Sequence, residues 1–90
     1  MLKEVFAALS DPVRLKIVEI LKDGDLTQKD LRERLGISQP SLSYHMDRLT
    51  RAGIVIAVKR GRNVVYSLDM GVLEMAIEFF MKLKGGKEDA

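Results

Sequence analysis

Hydrogen-bonding and cationic side chains that could bind a polyanion are concentrated between residues 38 and 68. The stretch SQPSLSYHMDRLTRAG, residues 38–53, begins with hydroxyl and amide side chains and continues with a phenol and guanidinium groups. The region holds one acid, Asp47, against five cations, which are Arg48, Arg51, Lys59, Arg60 and Arg62. Cationic groups pair with phosphates, whereas hydroxyl and amide groups also hydrogen-bond to base edges. The pattern predicts a nucleic-acid-binding surface; the alternative is a solvated face of a near-neutral protein.

Catalytic and metal chemistry find little support in the sequence. The chain has no cysteine, which excludes thiolate nucleophiles, disulfides and cysteine metal sites. Its single histidine, His45, has no second histidine or cysteine as a partner, and we expect it to pack between helices or to contact phosphate. The acids of DGD, residues 23–25, are expected to lie in a solvated turn. We therefore predict no enzyme activity, no metal and no cofactor.

Length and composition indicate one globular domain, residues 1–84, followed by a flexible tail, residues 85–90. The chain has 90 residues, 47% hydrophobic and 31% charged, with a net charge of +2. Such a chain can build one modest core but not two. With no apolar run of about 18 residues and no secretory leader, a cytoplasmic location is the default expectation and no membrane association is expected.

Apolar spacing and capping residues predict the elements that must position these side chains. They predict a mainly α fold with a small β-hairpin, in which helices cover residues 2–9, 12–21, 28–35, 39–52 and 70–83. Asp11, Thr27 and Ser38 are predicted N-caps, and Gly36 supplies a left-handed helix end. The β-branched stretches IVIAVK and VVYSL form the hairpin, joined by the turn RGRN, residues 60–63.

The third and fourth predicted helices, joined at Gly36–Ile37, form a helix-turn-helix. In this motif the second helix lies in the major groove with its N-terminal residues at the base edges. Leu42, Met46 and Leu49 form its buried stripe. The candidate DNA contacts are therefore Ser38, Gln39, Pro40, Ser41, Ser43 and Tyr44 at the leading end, with Arg48 and Arg51 reaching the sugar–phosphate backbone.

Residues 59–63, which comprise Lys59 and the turn, are called the wing below. It carries Lys59, Arg60, Arg62 and Asn63, a poor composition for a core. Beside a recognition helix these side chains could contact the flanking backbone or the minor groove. The alternative is an ordinary hairpin tip with no partner. The arrangement predicts a winged helix-turn-helix.

Apolar residues cover most of the circumference of the last predicted helix, leaving a polar stripe of Glu74, Glu78 and Lys82. Such a helix needs cover on two sides, which a 90-residue monomer can hardly supply. We expect a twofold homodimer whose interface includes Leu2, Val5, Phe6, Leu73, Ile77, Phe80 and Met81. The alternative is a helix buried within one chain.

The stretches ALSDPVRLKIVEIL, TQKDLRERLGISQPSLSYHMDRLTRAGIV and KRGRNVVYSL resemble the ArsR-type winged helix-turn-helix repressors, and the resemblance covers residues 8–68. It implies a homodimeric transcriptional repressor whose fourth helix contacts the major groove and whose first and last helices form the dimer interface. By position, Gln39, Pro40, Ser43 and Tyr44 match the base-facing segment of the family, and Arg62 matches the basic contact of the wing.

The sequence departs from the metal-sensing members of that family. They use cysteines at the start of the third helix, or Asp and His ligands on the last helix. Here the corresponding segments are LTQKDL, without cysteine, and GVLEMAIEFFMKLKGGKEDA, without histidine. The known metal-sensing patterns are therefore absent. An inducer could be an unknown small molecule, or regulation could depend on protein abundance alone.

Two classes of function therefore remain open at the level of sequence. One is a dimeric regulator that binds double-stranded DNA. The other is a winged-helix module that docks a protein through the same surface. A nucleic-acid-binding protein that senses no signal is a further alternative.

Overall fold

The computed structural model describes residues 1–85. Within these residues the chain forms five helices and three strands. Their order is α1 (Leu2–Leu9), α2 (Pro12–Leu21), β1 (Leu26–Thr27), α3 (Gln28–Leu35), α4 (Gln39–Arg51), β2 (Val55–Arg60), β3 (Asn63–Leu68) and α5 (Met70–Gly85). The predicted mainly helical winged helix-turn-helix is confirmed. Gly85, predicted to begin the tail, instead ends α5, and residues 86–90 lie outside the described part of the chain.

The strands form one antiparallel sheet in the order β1-β3-β2. β2 and β3 pair from Val55↔Leu68 to Arg60↔Asn63 across a two-residue turn. Gly61 in that turn has φ +62°, a conformation that favours glycine. The hairpin was predicted, whereas β1 was not, because a strand of two residues carries no periodic pattern. Pairing of Leu26 with Tyr66 attaches the start of the helix-turn-helix to the wing hairpin.

Each of the three predicted N-cap residues accepts hydrogen bonds at the start of its helix. Asp11 Oδ2 accepts hydrogen bonds from the backbone N–H groups of Val13, at 2.9 Å, and Arg14, at 3.1 Å. Thr27 Oγ1 accepts from Asp30 N at 3.1 Å, and Ser38 Oγ accepts from Ser41 N at 3.2 Å. These bonds satisfy N–H groups that have no partner within the helix.

The turn between α3 and α4 begins at Gly36, which follows the last residue of α3. Its φ of +65° lies in the left-handed region, as the sequence predicted. A residue with a side chain would be strained there, so glycine allows the short connection that sets the two helices at an angle. The turn thereby determines where the leading end of α4 emerges.

The core lies between α4 and the elements around it. α4 packs against α1, α2 and β2, and its predicted stripe of Leu42, Met46 and Leu49 is buried. One predicted interface residue needs correction: Val5 is 0% exposed within the subunit. Because its side chain is inaccessible to a second chain, Val5 is a core residue and is removed from the predicted dimer interface.

None of the helices within residues 1–85 combines the length and apolar character needed to cross a membrane.

Candidate nucleic-acid interface

The outward face of α4 differs in detail from the predicted one. Ser43, Tyr44 and Arg51 are exposed, and so is Pro40 at the leading end. Three predicted contacts, Gln39, Ser41 and Arg48, are half-buried because they lie on the flanks of the helix. The most exposed strip of α4 therefore runs along its centre and includes Asp47.

Gln39 is oriented by hydrogen bonds on both sides of its amide. Arg32 Nη1, on α3, donates to Gln39 Oε1 at 2.9 Å, and Gln39 Nε2 donates to Ser43 Oγ at 2.9 Å. Because a guanidinium has only donors, the amide oxygen must face Arg32. One N–H of Gln39 and the Ser43 hydroxyl proton remain available for a ligand. Sequence reasoning missed Arg32, which lies on α3 and bears no local signal of this contact.

Tyr44 lies close to two guanidinium groups. The Cζ atoms of Arg14 and Arg48 lie 5.9 Å and 6.0 Å from its ring centroid, and Arg48 Nη1 donates to Tyr44 Oη at 3.3 Å. Cation–π contacts of this kind restrain an exposed ring. Tyr44 nevertheless keeps 55% of its surface exposed, so the ring is available to a ligand.

A buried polar cluster supports α4 from behind. Arg14 Nε donates to the Ala8 carbonyl at 2.6 Å, and Arg14 Nη1 donates to His45 Nδ1 at 3.0 Å. Because arginine cannot accept, Nδ1 is the acceptor in this hydrogen bond. The longer approach of Nδ1 to Asp11 Oδ2, 3.8 Å, is not a hydrogen bond in this arrangement. His45 packs between helices, one of its two expected roles.

The same cluster affects the carboxyl group of Asp11. The hydrogen bond from the backbone N–H of Arg14 lowers the pKa of Asp11 below its ordinary value of 3.8, and the Arg14 guanidinium acts in the same direction. The carboxylate is therefore stabilised as the cap of α2. Sequence reasoning identified the cap but missed Arg14.

Arg51 is engaged within α4. Its Nε lies 2.9 Å from Asp47 Oδ2, an ion pair between residues four apart. Both side chains are largely exposed, so the pair contributes little to stability. Arg51 keeps four N–H donors for a phosphate.

The wing presents Lys59, Arg60, Arg62 and Asn63, all of them exposed. Within the described residues none of these cations forms an ion pair. A groove joins the sheet to α4 and is lined by Ser43, Asp47 and Thr50 from the helix and by Ala57 and Tyr66 from the strands. The outward face of α4 and the hairpin thus border one continuous surface.

Most apolar residues of α5 are uncovered within the subunit. Ile77, Phe80 and Met81 are 59%, 55% and 56% exposed, whereas Leu73 packs partly against the core. Phe6 of α1 is half-buried and lies 5.7 Å and 5.5 Å, between ring centroids, from Phe79 and Phe80. Leu2 is also half-buried. The predicted terminal-helix residues, apart from Val5, are therefore at or near one apolar surface formed by α1 and α5.

In the part of the chain that the structure describes, no three His, Cys, Asp or Glu side chains are grouped so that they could hold a metal ion.

The helices α3 and α4 joined at Gly36, the polar outward face of the capped α4 and the cationic hairpin beside it define the winged helix-turn-helix class. Comparison with known proteins agrees. A family model described as a helix-turn-helix domain matches residues 9–58. The transcriptional repressor SdpR of Bacillus subtilis (strain 168) is 39% identical over 80 residues, covering 89% of this chain and 89% of that protein.

Solved structures lead to the same family. The ArsR-like transcriptional regulator from Rhodococcus sp. RHA1 has a TM-score of 0.82 at 32% identity, over 98% of this chain and 82% of that one. Another ArsR family transcriptional regulator has a TM-score of 0.86 at 22% identity, over 99% and 92% of the two chains, which supports the fold. The chain belongs to the ArsR/SmtB family of winged helix-turn-helix transcriptional regulators, which bind DNA and are not enzymes.

Proposed function

We propose that this chain is a homodimeric transcriptional repressor that recognises a specific double-stranded DNA sequence. α4 enters the major groove with Gln39, Pro40, Ser43 and Tyr44 towards the bases, and the wing contacts the backbone or the minor groove. Repression is proposed because SdpR, which matches most of the chain, is itself named a transcriptional repressor.

The observation that carries the base-contact proposal is the set of contacts around Gln39 and Tyr44. Both side chains are held in place before any ligand binds, Gln39 by Arg32 and Ser43, and Tyr44 by Arg14 and Arg48. Side chains already ordered in the free protein lose less conformational entropy on binding. Ser38 and Ser41 lie at the same helix end, where the positive end of the helix dipole suits a phosphate.

The cations of the wing support the backbone contacts. They are exposed, on the same hairpin whose Ala57 and Tyr66 line the groove with α4. Arg48 and Arg51 are instead partly engaged with Tyr44 and Asp47. We therefore assign the larger electrostatic contribution to Lys59, Arg60 and Arg62, and the positioning of the helix to Arg48 and Arg51.

The homodimer rests on the apolar surface of α1 and α5. Large exposed apolar patches on small proteins mark interaction sites, and a twofold axis places identical patches against each other. The proposed interface consists of Leu2, Phe6, Leu73, Ile77, Phe80 and Met81. A dimer would place two copies of α4 on one face of the DNA.

Selection of duplexes from a random pool at 50 and 200 mM salt tests this function. We expect a twofold-symmetric site with half-sites roughly 34 Å apart, the spacing of one helical turn. Affinity should fall by on the order of 10³-fold between the two salt concentrations if the dimer neutralises six or more phosphates. Failure to enrich any duplex, or enrichment of a single asymmetric half-site, would contradict the proposal.

A further inference from the structure

The outward face of α4 contains one acidic residue, Asp47, where a polyanion is expected to bind. Gln39, Ser43, Asp47 and Arg51 follow one another at intervals of four, so each lies next to the following one. The row crosses from the flank of α4 at Gln39 to its exposed centre at Asp47. Asp47 is exposed, borders the groove between α4 and the sheet, and is the one acid between residues 38 and 68. A carboxylate in this position repels phosphate, so its presence calls for a compensating interaction.

We propose that Asp47 is a specificity-determining residue that accepts a hydrogen bond from the N4 amino group of a cytosine in each half-site. This inference rests on the proposed function. Asp47 lies two helical turns beyond Gln39, about 12 Å along the axis, so both can reach base edges of one groove.

The chemistry of a carboxylate restricts which base it can contact. Ionised Asp is an acceptor only, and in the major groove the amino donors are N4 of cytosine and N6 of adenine. Guanine and thymine present acceptor atoms, which would repel the carboxylate. Adenine places its N7 acceptor beside N6, whereas cytosine has no acceptor beside N4 in this groove. Cytosine is therefore the base that a carboxylate favours.

Arg51 is the positioning residue for this contact. Its Nε binds Asp47 Oδ2 at 2.9 Å, which restrains the carboxylate and offsets its charge near the phosphates. Asp47 Oδ1 and the remaining lone pair of Oδ2 stay available for the amino group. The guanidinium keeps donors for the adjacent backbone.

Duplex selection with the Asp47→Ala and Asp47→Asn variants tests the inference against wild type. We expect Asp47→Ala to lose cytosine preference at one position in each half-site, with discrimination there falling by on the order of tenfold, and to leave the other positions unchanged. Asp47→Asn should shift that position towards adenine, because an amide can bond to both N6 and N7. Arg51→Met should weaken the preference at the same position.

Asp23→Ala is the matched control, because it removes an exposed acid from the turn after α2, outside the proposed interface. It should leave the selected sequence unchanged. If Asp47→Ala instead binds all duplexes more tightly with the same sequence preference, Asp47 acts only through its charge and the inference is overturned. If wild type selects no duplex, the proposed function fails, and this inference fails with it.

Discussion

The guanidinium of Arg14 and the imidazole of His45 are joined by a buried hydrogen bond of 3.0 Å that connects α2 to α4. The same guanidinium binds the carbonyl of Ala8 on α1. Arg14 therefore ties three helices together behind the outward face of α4, with Tyr44 on its outer side. The orientation of α4 depends on a polar contact as well as on its apolar stripe.

Arg14→Met should lower the free energy of unfolding by about 2 kcal/mol or more. The substitution removes both hydrogen bonds and leaves the buried acceptors of Ala8 and His45 without partners. Urea denaturation should show a lower midpoint with an unchanged slope. Arg34→Met, on the exposed face of α3, is the control and should shift stability by no more than about 0.5 kcal/mol. Equal midpoints for the two variants would refute the structural role of Arg14.

Asp11 should contribute to the acid sensitivity of the fold. Its pKa is lowered in the folded state, chiefly by the backbone N–H of Arg14. The stabilisation is therefore fully present above the unfolded-state pKa, about 4, and is lost as pH falls through the lower folded-state value. Asn also caps helices but does not titrate in this range. The difference in unfolding free energy between wild type and Asp11→Asn should thus shrink from about pH 5 to about pH 2, a range that includes the unfolded-state pKa of about 4. Parallel curves in urea titrations at each pH would show that Asp11 is not responsible.

Arg62→Ala should weaken DNA binding to a similar degree for every sequence. A phosphate contact carries no sequence information, so its loss should also reduce the slope of log K against log salt by about 1 per contact. Fluorescence anisotropy with one selected and one scrambled duplex measures both effects. Lys22→Ala removes the same charge at the end of α2, outside the proposed interface, and should leave the slope unchanged. An unaltered slope for Arg62→Ala would favour the protein-docking module.

Tyr44→Ala should change which sequence is preferred rather than affinity in general. The ring is exposed yet restrained by Arg14 and Arg48, so its removal would abolish an ordered group that we propose contacts a base. We expect a loss of about 1–3 kcal/mol of discrimination at one position. Tyr44→Phe keeps the ring beside the guanidiniums and loses only the hydroxyl, so its effect should be smaller. Selection experiments that return the wild-type sequence for the Ala variant would disprove base contact by Tyr44.

Ile77→Lys should weaken the proposed homodimer. The side chain is 59% exposed in the subunit, so folding should tolerate the change, whereas a dimer would bury the added charge in an apolar interface. Sedimentation equilibrium should show a dissociation constant raised by about tenfold or more. Glu74→Lys places the same residue on the exposed polar stripe of α5 and should remain dimeric. A wild-type chain that sediments as a monomer at micromolar concentration would contradict the proposed dimer itself.

Features that depend on neighbouring residues could be predicted from the sequence. The caps Asp11, Thr27 and Ser38, the left-handed Gly36 and the hairpin turn all follow from bonds and backbone preferences within a few residues. The buried stripe of α4 follows from helical periodicity, since an amphipathic helix has one apolar side. These local signals, with the resemblance to ArsR-type repressors, were sufficient for the fold class.

Tertiary structure decided the contacts between residues far apart in the chain. The partnership of Arg14 with His45, the pairing of β1 with β3 and the contact of Arg32 with Gln39 depend on how the helices pack, which no local pattern specifies. The same packing buried Val5 and left Ile77 exposed, although both are apolar residues on terminal helices. A side chain's sequence neighbours determine which helix it belongs to, but the relative positions of the helices determine whether it meets the core, a second chain or DNA.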